Sequence, residues 1–94
     1  MAGEIKGWEY EPDNLRLAHN THYRPDFKVF LNDDAVEYHE IKGGHIEEDA
    51  MVKIKVAAYL YPYVFRLIQI TRKGWKERIF DELIKKNLQQ MSKP

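Results

Sequence analysis

Apolar and polar residues alternate with a period of two through the first part of the chain. Gly7 to Glu11 sets Trp8 and Tyr10 against Gly7, Glu9 and Glu11, which predicts a short strand. Pro12-Asp13-Asn14 is turn chemistry. Leu15 to Ala18 reads as a second strand, and His19-Asn20-Thr21-His22 as a polar turn leading into a hairpin. Asp26 to Leu31 predicts a third strand, with Phe27, Val29 and Leu31 on one face and Asp26, Lys28 and Phe30 on the other. After a tight turn at Asn32-Asp33-Asp34, Val36 to Lys42 predicts a fourth strand. Val36, Tyr38, Glu40 and Lys42 point one way there, and Glu37, His39 and Ile41 the other. Gly43-Gly44 ends it.

The period then changes. Met51, Ile54, Ala58 and Tyr61 fall at helical spacing, Glu47, Glu48 and Asp49 suit a helix N-terminus, and Pro62 stops the run. A helix is predicted over 46–61. Tyr63 to Thr71 is β-rich and apolar at Val64, Leu67, Ile68 and Ile70, as expected of a central strand. Arg72-Lys73-Gly74 is a turn, and Ile79, Phe80, Leu83, Ile84, Leu88 and Met91 form a stripe that predicts a terminal amphipathic helix from about residue 76. The predicted order is β-β-β-β-α-β-α. A helix between the fourth and fifth strands is a crossover, so those strands are expected to be parallel neighbours. The fold class is therefore α/β, a central mixed sheet flanked by helices.

With 94 residues and no cysteine, the chain is read as a single domain without a disulfide framework or a thiolate metal site. The N-terminus lacks the apolar core of a signal peptide, and the densest apolar stretch, Val56 to Ile70, is broken by Pro62, Arg66 and Gln69. No membrane association is expected, and a cytoplasmic setting is. Net charge is zero, but residues 1–50 carry 5 basic against 12 acidic side chains and residues 51–94 carry 10 against 3. Such asymmetry permits a basic face beside an acidic site.

One constellation carries chemistry. A turn near Asp33 leaves Asp26 and Glu40 equidistant from it, seven residues each way, so an antiparallel hairpin sets the two carboxylates side by side. Lys42 shares Glu40's face. Paired carboxylates repel unless a cation separates them. A hard ion such as Mg²⁺ (or Mn²⁺) is the natural one, and the Ile41 carbonyl offers a further oxygen. Lys42 is then placed to orient a water, take its proton, or stabilise charge on a phosphate.

Tyr23-Arg24-Pro25-Asp26-Phe27 followed by Tyr38-His39-Glu40-Ile41-Lys42-Gly43-Gly44 resembles the PD-(D/E)xK nuclease superfamily signature. The wider run is similar to small phage-type and Holliday-junction-resolvase-like endonucleases, through Gly3-Glu4-Ile5, Asp49-Ala50, Lys53, Lys55, Tyr61-Pro62 and Phe65-Arg66, over roughly residues 3–75. The resemblance implies a restriction-endonuclease-like core and Mg²⁺-dependent hydrolysis of DNA phosphodiesters, with structure-specific phage DNA processing or recombination as its setting. It assigns Asp26 and Glu40 as metal ligands with the Ile41 carbonyl, and Lys42 as the catalytic lysine. Lys53 or Lys55 would approach the site or DNA phosphates. Apart from the resemblance, Arg72 and Lys73 could bind backbone phosphates or equally be a soluble turn. Two residues apart on a helix, Lys53 and Lys55 differ by about 200° in direction, so at most one of them faces the site. Lys76 and Arg78 could bind backbone phosphates or simply solvate a turn. Dimeric resolvases make a homodimer one option. Few residues precede Trp8, whereas such nucleases carry a helix before the sheet, often with another acidic residue. Glu4, Glu9 and Glu11 are the stand-ins considered. The alternative reading is a non-catalytic DNA- or protein-binding module that needs a partner chain, and RNA is a further substrate option. The four histidines match no zinc-ligand spacing.

Overall fold

A computed structural model describes residues 4–91; Gly3, part of the resemblance above, lies outside them. The chain folds as β1 (Ile5–Tyr10), β2 (Leu15–Ala18), β3 (Thr21–Tyr23), β4 (Phe27–Leu31), β5 (Val36–Gly43), α1 (Glu48–Leu60), β6 (Val64–Thr71), β7 (Gly74–Phe80) and α2 (Glu82–Met91). Five strands make one mixed sheet in the order β1-β4-β5-β6-β7, and β2 and β3 pair as a separate hairpin. The α/β class and the crossover hold: β5 and β6 are parallel neighbours joined through α1.

Register in the β4–β5 hairpin follows from its turn. Asp34 takes a positive φ of 67°, Ala35 N–H donates to Asp33 Oδ1 at 3.0 Å, and Leu31 N–H donates to the Ala35 carbonyl. Phe27 then faces His39, and Phe30 faces Val36. The same register carries Asp26 opposite Glu40, as the spacing implies.

Two elements correct the sequence reading. Thr21 and His22 belong to β3 rather than to a four-residue turn, the hairpin being closed tightly by Asn20 at φ 55°. Residues 74–80 are a strand, not the start of the terminal helix, which begins at Glu82. Gly74, at φ 122°, closes a hairpin onto β6, and alternation then sets Trp75, Glu77 and Ile79 against Lys76, Arg78 and Phe80. Ile79 and Phe80 are apolar in sequence with Leu83 and Ile84, which extends the helical stripe into a strand.

One face of the sheet is covered. Tyr38, Phe65, Leu67 and Phe80 pack with Ile54, Ala57 and Ala58 of α1 and with Leu15 and Tyr23 of the small hairpin. Tyr38 and Phe65 stack at 5.3 Å, and Phe65, Ile54 and Leu67 are fully buried. Alanines at 57 and 58 let α1 approach the sheet closely. Pro62 ends α1, and α2 rests against α1 rather than on the far side of the sheet. Helices therefore do not flank both faces among the described residues. The opposite face carries a Trp8–Phe27–Tyr10 ring cluster and an ion-pair clasp in which Arg66 joins Glu37 and Glu77. It leaves Trp8, Tyr10, Ile41, Ile70, Trp75 and Ile79 exposed. No helix of the described residues is long and apolar enough to cross a membrane.

Candidate active site

The candidate centre lies where β4 begins and β5 ends. Pro25 is fully buried and anchors the entry to β4. A proline also disfavours helical backbone at the residue before it, which suits the extended approach from β3. Beyond Phe27 the β4–β5 ladder stops, and the Asp26 side chain takes over its role. Asp26 Oδ2 accepts the Ile41 N–H at 2.9 Å, and the Asp26 N–H donates to Glu40 Oε1 at 3.2 Å. The two carboxylates are thus locked together by reciprocal backbone bonds.

Glu40 is buried, with 6% of its surface exposed. A buried carboxylate is costly unless paired and hydrogen-bonded. Its partners are Tyr23, whose Oη–H donates to Oε1 at 2.9 Å, the Asp26 N–H, and Lys42 Nζ, 3.2 Å from Oε2. Burial first, and then the negative charges of Glu40 and Asp26, push the Tyr23 phenol well above its ordinary value. Tyr23 therefore stays a donor throughout the neutral and moderately alkaline range. Its role was missed in the sequence, although it stands three residues before Asp26.

The oxygens here suit a hard cation. Each carboxylate oxygen has lone pairs beyond the donors named. In a strand, one residue's N–H and C=O leave the same edge, so the Ile41 carbonyl lies on the edge that faces Asp26. No group of three or more His, Asp or Glu side chains is arranged to hold a metal ion among the described residues. Glu4, Glu9 and Glu11 thus do not complete the centre. Glu4 accepts a bond from Asn32 instead, and Glu9 and Glu11 are exposed.

The other basic candidates separate. Lys53 and Lys55 are both exposed on α1, and of the two Lys55 reaches a cavity beside β7. Arg72 and Lys73 sit in the β6–β7 turn. His39 turns away from Glu40 and contacts Glu37 at 3.0 Å on the uncovered face. Gln69, unremarked in the sequence, donates to the Gly44 carbonyl at 2.6 Å and ties the loop after β5 to β6. The chain matches no protein-family model, no curated protein and no solved structure.

Proposed function

We propose that the protein is a metal-dependent deoxyribonuclease with a PD-(D/E)xK-type, restriction-endonuclease-like core, similar to small phage-type and resolvase-like endonucleases. The observation that carries this reading is the juxtaposition of Asp26 and Glu40 across the β4–β5 hairpin, with Lys42 3.2 Å from Glu40. Asp26, Glu40 and the Ile41 carbonyl would hold Mg²⁺ or Mn²⁺, whose chemistry when bound is to acidify a water and offset charge on a phosphate. Tyr23 and the Asp26 N–H fix the Glu40 carboxylate, while Asp26 is fixed by the Ile41 N–H. Lys42, partly exposed beside the pair, is the group that reaches out to orient the attacking water or move its proton.

Cleavage of duplex, flap and four-way-junction DNA with Mg²⁺ or Mn²⁺, abolished by EDTA, tests the reading. Asp26→Asn and Lys42→Ala should each lower the rate by about 100-fold or more, the usual scale for a lost acid–base or positioning group. Full activity in either variant refutes the residue assignment.

A second reading, a partner-dependent binding module, is favoured by one observation: the uncovered sheet face with Trp8, Tyr10, Trp75 and Ile79 exposed. These side chains lie at the two edges of that face, on β1 and β7, with the Glu37–Arg66–Glu77 clasp between them, and exposed apolar groups rimmed by polar ones suit an interaction surface. Sedimentation separates a dimer from a monomer. No cleavage together with no calorimetric signal for Mn²⁺ at millimolar concentration selects the module.

A further inference from the structure

Strand register extends the candidate centre sideways. Glu40 pairs with Leu67, which pairs with Arg78; Lys42 pairs with Gln69, which pairs with Lys76. Both rows run across three strands on the face that α1 partly covers. Lys76 is two strands from Lys42, about 10 Å by ordinary strand spacing.

Two cavities follow this direction. One of about 440 Å³ is lined by Ile46, Leu67, Gln69, Lys76, Glu77 and Arg78. The other, about 540 Å³, is lined by Lys55, Tyr59, Arg78, Ile79, Phe80 and Glu82. Arg78 lines both, so the two lie end to end along β7, the first against β6 and the second against α1, and together they mark out a trough along that strand. Arg78 is held there without an acid: its Nη1 donates to Met51 Sδ at 3.7 Å, and its guanidinium lies 5.2 Å from the Phe80 ring centre. Lys55, Lys76 and Arg78 enter none of the ion pairs among the described residues. At the far end Tyr59 is 65% exposed and stacks on no other ring among the described residues.

Unpaired cations along an open trough, ending in an exposed aromatic, are the parts of a single-strand channel: charge tracks the backbone and the ring stacks a base. We infer that this trough holds one unpaired DNA strand, with Lys76 and Arg78 on its phosphates and Tyr59 against a base. Tyr59 favours an unpaired strand, since a base inside a duplex is stacked on both sides and offers no free face to it. Glu82, at the same end, repels a phosphate but can accept from a base amino group. The strand's direction, away from Glu40 and Lys42, rests on the nuclease reading; its binding does not.

The test is anisotropy of a labelled oligothymidylate, and of a duplex of equal length, titrated with the full chain in EDTA at several salt concentrations. The intact protein should prefer the single strand. Lys76→Ala/Arg78→Ala should weaken binding at least tenfold and flatten the salt slope by about 1.4, two contacts at about 0.7 each for a single strand. Tyr59→Ala should weaken it about 5- to 150-fold, the range for one stacked base, with the slope unchanged. Lys85→Ala/Lys86→Ala, which removes equal charge from α2, should bind as the intact chain does. All these positions are exposed, so the variants should fold. Equal losses from both double variants, an unaffected Tyr59→Ala, or a preference for duplex overturns the channel. If the strand binds as described but nothing is cleaved with Mg²⁺ or Mn²⁺, the nuclease reading fails and the channel stands. If cleavage occurs and Lys76→Ala/Arg78→Ala binds and cuts normally, the channel fails and the nuclease reading stands.

Discussion

Replacing Tyr23 by Phe removes one atom from the most constrained part of the candidate centre. The phenol oxygen donates to Glu40 Oε1 at 2.9 Å, both side chains are buried, and the Tyr23 ring lies 6.4 Å from Phe65. The ring stays, so packing is retained and only the bond to a charged acceptor is lost. Such bonds contribute about 1.5–3 kcal/mol net. Glu40 keeps the Asp26 N–H and Lys42, which argues for the lower half of that range. At about 4–8 °C per kcal/mol for a domain of this size, the melting temperature should fall by about 6–18 °C. A thermodynamic cycle with Glu40→Leu, which can accept no hydrogen bond, isolates the interaction: unfolding of Tyr23→Phe, Glu40→Leu and the double variant should show a coupling energy of about 1 kcal/mol or more. On the nuclease reading, cleavage by Tyr23→Phe should also drop, because Glu40 loses the bond that fixes its orientation. If the two single effects add to within about 0.5 kcal/mol, Tyr23 does not hold Glu40 and the account of the centre is wrong.

Two pH effects follow from buried groups. Burial raises the phenols of both Tyr23 and Tyr38 above 10.0 in the folded state. The unfolded chain then releases those protons first, so stability is full below pH 10 and should decline as pH rises beyond it; urea midpoints across this range should show a shallower fall in Tyr23→Phe and Tyr38→Phe. At the acid end, burial opposes the charge on Glu37, but the Arg66 guanidinium and His39 outweigh it and hold the carboxyl below 4.5. Asp13 is held below 3.8 chiefly by the Tyr38 hydroxyl. Their contribution is complete above those ordinary values and is lost as pH falls through the lowered ones, so Glu37→Gln should flatten the acid limb of the stability curve.

The hairpin that carries Asp26 and Glu40 was legible because its turn is legible. Asn32-Asp33-Asp34 fixes an axis, and counting outward places every facing pair. The facing of Glu40 and Lys42 follows from alternation alone. Strand β7 was not legible, because its pattern is inverted. Its polar residues Lys76 and Arg78 lie on the side of the sheet that α1 covers, and its apolar residues Trp75 and Ile79 on the uncovered side. A rule of apolar inside and polar outside misreads such a strand, and Ile79-Phe80 then merges with the stripe of α2. The trough depends on β7, so it too was hidden, although its cations Lys55, Lys76 and Arg78 belong to the basic excess of residues 51–94. Lys76 and Arg78 could be named from the sequence as phosphate contacts, but not placed on one row with Lys42.

The sheet order divides the molecule by sequence distance. Asp26, Glu40 and Lys42 all belong to one local hairpin and the residues beside it, while the trough needs α1, β6 and β7 brought in through a long parallel crossover. Local hairpins close in microseconds, and non-local parallel pairing is slower. The carboxylate pair can therefore assemble before the surface beside it exists. The two also mutate separately: changes in 74–80 alter what the trough accepts without disturbing the register that pairs Asp26 with Glu40. On the nuclease reading, a lineage built on this arrangement can change its substrate by editing one edge hairpin, with its chemistry held constant in another.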